Sequence, residues 1–342
     1  MKKNLLRILA ALMVAVLLIS CGPKTGGNGK KELVVYSPNS DGEIEKLLNY
    51  WAKKNDVTVK LQNLGSGEAY KRLDAEKNNP QADVMFGGLN LGWYNQYPDI
   101  FEEYVAKGND KLPEMYRNPN GYITSYLLSG SNLLVNTELA EQLGVEIKGY
   151  ADLLDPKLKG KIASADPSAS SSAYAQLTNI LLAMGGYESD EAWDYVSKLI
   201  VQLDGKFTSG SSGVYNGVKD GEYVVGLTYE DPSVELLASG AKNVEVVYPE
   251  EGAVWLPAAS GLVKGGPNPE VAKEFLDFLI SDEAQEIIGG MTVRAVNPNV
   301  KISNEFMKPF DQIKVLEEDM EYTLGKKDDI LKRWTDTLVK SQ

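Results

Sequence analysis

The chain has 342 residues, 43% hydrophobic and 24% charged, an ordinary globular composition long enough for two domains of normal size. Its net charge of −13 opposes the phosphates of nucleic acid and anionic lipid surfaces, which excludes nucleic acid as a partner but leaves room for a local site that holds a small anion. There is no histidine and only one cysteine, which removes Ser-His-Asp and Cys-His catalysis, histidine-bearing zinc sites and any internal disulfide.

Lys2, Lys3 and Arg7 precede an apolar run, Ile8 to Ile19, of the length of a secretory signal and too short to span a bilayer. The run ends in Leu18-Ile19-Ser20-Cys21-Gly22, which resembles the bacterial lipobox. That resemblance implies a lipoprotein signal peptide over 1–20 and acylation of the Cys21 thiol, palmitate included. The mature protein would then be anchored on the outer side of the cytoplasmic membrane or in the periplasm. Each buried methylene of such an anchor contributes roughly 0.8 kcal/mol. Residues 21–30 are polar and Gly-rich and read as a flexible tether spanning roughly 15–18 Å.

From residue 31 the pattern alternates strand and helix. Leu33 to Tyr36 is a short apolar run, as in a buried parallel strand. Ser40 and Glu43 have capping-box spacing ahead of a helix that buries Ile44, Leu47, Leu48 and Trp51. Val57 to Leu61 reads as a strand, Gly65-Ser66-Gly67 turns into a helix near Glu68 to Glu76, and Asp83 to Phe86 is a strand stopped by Gly87-Gly88. Asn132 to Val135 is the next strand, followed by a short helix capped at Asn136-Thr137. Asp166-Pro167-Ser168 precedes a helix with Ala173, Leu177, Ile180, Leu181 and Met184 on one face. Ser189 starts another that buries Trp193, Val196 and Ile200. Ser209 to Gly213 leads into a short helix, and Tyr223 to Leu227 and Val244 to Val247 are strands. Asn268-Pro269 opens a strongly apolar helix, and the C-terminus ends in an amphipathic one with Ile330, Leu331, Trp334 and Leu338 inside. This order predicts an α/β fold with parallel-rich sheets, divided into two lobes.

Four stretches resemble the ferric-type branch of bacterial ABC-transporter substrate-binding proteins, which includes iron(III)-, thiamine-, phosphonate- and hexose-phosphate-binding members. They are Asp152 to Ile162, Gly226 to Asp231, Val247 to Gly252 and Asn268 to Gln285, in that order and spacing. The resemblance implies a type II periplasmic-binding-protein fold with a hinged interlobe cleft. By analogy the chain crosses between lobes near Tyr126 to Gly130 and returns near Pro257 to Ser260. Lobe one is then 31–125 and 258–342, and lobe two 126–257. It also implies a monomer without a cofactor that is not an enzyme, and that works with an ABC permease and its ATPase.

The densest polar feature is Ser168, Ser170, Ser171 and Ser172, just before the helix that begins at Ala173. Free N–H groups and the helix dipole meet there, so hydroxyls at that point suit an anion, with simple capping as the alternative. In the resembled family this loop grips phosphate or a synergistic anion. Ser37, Ser66, Ser209 and Ser211 sit at similar strand-to-helix junctions and are candidate ligand contacts or plain caps. Tyr229, Glu230 and Asp231 end a strand and are further candidates. A carboxylate there accepts hydrogen bonds from a sugar or pairs with an ammonium, whereas Asp231 before Pro232 also suits an N-cap. Family iron sites present adjacent tyrosines at this point, but this chain has Tyr229 followed by acids. The expected cargo is therefore a small phosphorylated or anionic solute, a sugar phosphate or organophosphonate. Iron(III) held by Tyr229 and Glu230 is the alternative, and otherwise no metal site is expected. A surface glycosidase is the distant alternative, since no acid pair sits in a motif with a catalytic role. Arg294 reads as a surface or inter-lobe ion pair.

Overall fold

The computed structural model describes residues 31–341, so the signal, lipobox and tether readings lie outside the described residues. Strand β1 (Lys31–Ser37) pairs in parallel with β2 (Val57–Asn63) and β3 (Val84–Leu89). Helix α1 (41–54) lies between β1 and β2 and carries a π-helical segment, Ile44–Asn49. Ser40 caps it, its Oγ accepting from the Glu43 N–H at 3.4 Å, but Glu43 does not complete a capping box because its carboxylate turns to the Tyr126 hydroxyl. Ile44, Leu47, Leu48 and Trp51 are buried as their spacing predicts, each such burial stabilising by roughly 1.5–3 kcal/mol. Helix α2 (Ser66–Glu76) precedes β3 and α3 (Leu91–Gln96) follows it. β3 does not stop at Gly87-Gly88. It runs through them as an irregularity in its pairing with β8, because both glycines hold positive φ (80° and 69°) and a Cβ on Gly87 would lie 1.8 Å from Asn39 Oδ1.

The next strand, β4 (Thr124–Asn136), is 13 residues long and far exceeds the four-residue apolar run that betrays it. Its first half pairs antiparallel with β8 (Ala253–Leu262), and its second half pairs with β6 (Val225–Tyr229) and β7 (Val244–Val247). β5 (Ile162–Ala163) pairs in parallel with β6, β9 (Arg294–Ala295) lies on β4, and β10 (Val315–Leu316) lies on β8. The main path is β2-β1-β3-β8-β4-β6-β5. The expected parallel-rich sheets are therefore mixed: β4 and β8 pair antiparallel with each other, and each also has an antiparallel neighbour on its other side, β6 and β3.

The helices of the second half are α4 (Thr137–Leu143), α5 (Ser171–Ala183), α6 (Asp190–Leu203), α7 (Ser211–Lys219) and α8 (Glu230–Ala238). After β8 come α9 (Pro269–Leu279), α10 (Asp282–Gly289), α11 (Met320–Gly325) and α12 (Lys327–Ser341). Period-2 alternation divides the core. Leu33, Val35 and Phe86 face one side of the first sheet with Phe275 and Leu279, while Tyr36, Met85 and Leu89 face the other with Tyr70. In the second body, Leu133 and Val135 pack with α5 and α6, and Leu134 packs with Val214 and Val218 of α7. The C-terminal helix α12, expected on lobe one, instead packs Ile330 and Trp334 into the core of the second body, with Trp334 edge-on to Phe207 at 6.0 Å. Its apolar face needs a partner, and α6 offers one, with Arg333 reaching Asp190 at 3.0 Å.

Candidate functional site

The middle of β4, the end of β6 and the starts of α5, α7 and α8 meet beside Leu256 of β8. Ser170 is the N-cap of α5: its backbone is extended and its Oγ accepts from the Ala173 N–H at 3.4 Å, 3.1 Å from Ser172 Oγ. Ser171 and Ser172 occupy the first turn, where backbone N–H groups have no intrahelical acceptor. Ser211 opens α7, and Tyr229 is the N-cap residue of α8. These side chains surround one cavity of about 350 Å³, lined also by Ser129, Gly130 and Ser131 of β4, by Ala175, and by Leu256 of β8. Three helix starts therefore converge on a hydroxyl-rich space, and each contributes the positive end of its dipole. Burial pushes the Tyr229 phenol up to about 12 while a hydrogen bond with Ser211 opposes the shift, so at neutral pH the phenol is a donor.

The remaining sequence candidates stand elsewhere. Ser37 is fully buried: its Oγ donates to the Phe86 carbonyl at 2.7 Å and accepts from the Asn39 N–H at 3.1 Å, so it holds the β1–α1 turn and has nothing to offer a ligand. Ser66 packs against Gly88, where an added Cβ would lie 2.9 Å from its Oγ, and it does not line the cavity. Ser168 is exposed, and both its N–H and Oγ donate to Asp166 Oδ1 at 2.8 Å, closing a local turn. Ser209 is exposed outside the lining.

Glu230 is the clearest departure from expectation. It is 1% exposed. Oε2 accepts from Arg294 Nε at 2.7 Å, Oε1 accepts from Arg294 Nη2 at 2.5 Å and from the Tyr248 hydroxyl at 2.5 Å, and the Trp255 indole N–H adds a contact at 3.3 Å. Both oxygens are committed, so Glu230 is neither a sugar contact nor a metal ligand. Its partner Arg294, also 1% exposed, lies over the Phe310 ring at 4.4 Å; the ion pair expected of it is present, buried rather than at the surface, and joins segments 126–257 and 258–342. This pair joins the start of α8 to β9, and thus to β4 at Leu127–Leu128. Asp231 accepts from the Thr292 hydroxyl, and burial raises its carboxyl above the ordinary range.

Facing Asp231 from the first body is Glu43. Burial and then the charge of Asp231 push Glu43 up to about 7, against the Tyr126 hydroxyl that donates to it at 3.2 Å, while Asn39 Nδ2 donates to that same hydroxyl at 2.8 Å. The native state thus keeps a proton that the unfolded chain releases near 4.5. Stability from this group is complete below that pH and is lost as pH rises through about 7. Glu43→Gln is expected to reduce the fall in urea midpoint between pH 4.5 and 7.5. Equal falls in parent and variant would refute the assignment.

The residue pattern does not single out Ser129, Gly130, Ser131 or Leu256. Their only signal is a Ser-Gly-Ser interruption inside what proves to be a continuous strand. Among the described residues no three Asp, Glu, Cys or His side chains are arranged to hold a metal ion.

With this geometry in hand, likeness to known proteins has a structural meaning. A Haemophilus influenzae protein is 31% identical over 293 residues, covering 81% of each chain. Iron uptake protein A1 of Synechocystis is 28% identical over 80% of this chain and 79% of its own. The periplasmic binding protein AfuA of Actinobacillus pleuropneumoniae, solved with exogenous fructose-6-phosphate bound, superposes with a TM-score of 0.76 at 28% identity, covering 91% of this chain and 99% of its own. The fold is that of the type II periplasmic binding proteins. Residues 33–290 match the family described as bacterial extracellular solute-binding protein, and the chain belongs to that family.

Proposed function

We propose that the protein captures a small phosphorylated solute, a sugar phosphate or organophosphonate, and delivers it to an ABC permease driven by its ATPase. The observation that carries this reading is the convergence of three helix starts and the hydroxyls of Ser129, Ser131, Ser170, Ser171, Ser172 and Ser211 on one cavity. An oxyanion there gains N–H and O–H donors and the favourable ends of the dipoles without needing an arginine or lysine. Capture of fructose-6-phosphate by AfuA, a relative of the same fold, supports it. In this reading 31–125 with 258–319 forms one lobe and 126–257 with 320–341 the other. β4 and β8 are the crossing strands about which they close.

Iron(III) is the second reading, favoured by the name of the Synechocystis relative. Against it stands the engagement of both Glu230 oxygens by Arg294, Tyr248 and Trp255. A thermal-shift panel of hexose phosphates, alkylphosphonates, inorganic phosphate and ferric citrate separates the two. A true ligand at a hundredfold over its Kd stabilises by about 2.7 kcal/mol. Stabilisation by ferric ion alone, with a tyrosinate charge-transfer band, would reject the phosphorylated cargo.

The protein acts outside the cytoplasm, as its family does. No helix of the described residues is long and apolar enough to cross a membrane. Anchoring through a lipid on Cys21 is our reading of the sequence ahead of it. Cys21→Ser is expected to abolish incorporation of labelled palmitate and move the protein from the membrane to the soluble fraction. Unchanged labelling would reject the anchor.

A further inference from the structure

The hydroxyl-lined cavity has a neighbour. A second chamber of about 490 Å³ shares Ser171, Ala175 and Leu256 with it and extends toward α3 on one side and the 318–328 segment on the other. Its walls differ in kind. Trp93, Tyr174, Leu256, Met115 and Leu324 make much of it apolar, and Trp93 is held in place by face-to-face stacking on Tyr70 at 4.5 Å and 7°. Two carboxyls line it, Glu318 and Asp328, along with the cations Arg117 and Lys327; Glu318 is hydrogen-bonded to Thr178 and Thr323. Burial pushes Glu318 up to about 7, against those hydrogen bonds from Thr178 and Thr323. A volume of this size is that of a small organic ligand, and a bare oxyanion would leave it unused. Glu318 is half-buried, and two hydroxyls leave part of its acceptor capacity unused, so a complementary occupant brings a further donor.

We infer that this chamber holds the organic body of the cargo, and that Glu318 accepts a hydrogen bond from a hydroxyl or ammonium group on it. The cargo is then an oxyanion carrying an organic body with a donor, and not a bare oxyanion. Trp93 and Leu256 pack against the body, and Ser171 stands where body and head group join. The inference rests on the head-group reading above.

Calorimetric titration of the mature chain with four probes tests it: inorganic phosphate, phenyl phosphate, glucose 6-phosphate and an aminoalkylphosphonate. The expected order places one donor-bearing probe at least roughly tenfold tighter than both inorganic and phenyl phosphate, and which one it is tells hydroxyl from ammonium. Glu318→Gln should shrink the advantage of that probe over phenyl phosphate. Leu324→Trp, which fills the chamber from its rim, should shrink the advantage of every organic probe over inorganic phosphate. Inorganic phosphate binding as tightly as all the others, or ratios that neither variant moves, overturns this inference and leaves the head-group reading standing. Failure of all four probes to bind overturns the head-group reading and this inference with it. Melting curves confirm that each variant is folded, and the parent's own order of affinities decides if one is not.

Discussion

Ser170→Asp should leave the fold at least as stable as the parent while removing tight binding of the phosphorylated solute. The two effects separate because the residue has two roles. As N-cap of α5 it accepts from the Ala173 N–H, and an aspartate does this equally well while complementing the positive end of the helix. As part of the cavity wall, however, the new carboxylate meets the incoming oxyanion. Two like charges about 4 Å apart repel by about 1 kcal/mol in bulk water and about 4 kcal/mol near a protein surface. That range corresponds to about a fivefold to a thousandfold loss in affinity. Ser170→Ala is the control: it loses about 1 kcal/mol of capping but brings no charge, so stability falls and affinity changes modestly. Melting curves and calorimetric titration of the two variants should therefore move in opposite senses. An aspartate variant that binds within about threefold of the parent would place the cargo away from the start of α5.

The second large effect lies in the buried ion pair. Arg294→Met should cost about 3–5 kcal/mol of stability, because it leaves the Glu230 carboxylate buried with only the Tyr248 hydroxyl and the Trp255 indole as donors. The double variant Glu230→Gln with Arg294→Met should recover much of that loss, since the pair's net contribution is far smaller than the cost of stranding one charge. Arg294 Nη1 has no hydrogen-bond partner among the described residues, so the parent arrangement is itself incompletely satisfied. Urea unfolding of the single and double variants measures the coupling. A single variant less than about 1 kcal/mol below the parent would mean that Glu230 is not held as a buried charge.

This pair also shows why residue type and position in the chain misassigned Glu230. A strand-terminal Tyr-Glu-Asp offers carboxylates to a cleft in any one-dimensional reading. Whether a carboxylate is free depends on what arrives from 64 residues away, and Arg294 arrives on a two-residue strand with no periodicity to announce it. Ser37 fails for a related reason: its hydroxyl is consumed by a carbonyl of β3 that only the sheet brings near. The same logic hid the continuous strand β4. Its polar Ser129, Gly130 and Ser131 look like a loop, but they lie between Leu127–Leu128 in one core and Leu133–Val135 in others, so no apolar pattern is required there.

What the residues determined on their own is local and periodic. The buried faces of α1, α5, α6 and α9, the caps at Ser40 and Ser189, and the serine-rich start of α5 follow from spacing, propensity and the chemistry of free N–H groups, all within one or two helical turns. The motif order also placed the chain in its family. Tertiary structure decided the rest: which serines share a cavity, that Glu230 is neutralised in the interior, that α12 covers the second body, and that a second chamber adjoins the first. These depend on contacts between residues far apart in the chain, where the geometry of packed sheets and not the local pattern sets which polar group meets solvent, ligand or an opposite charge.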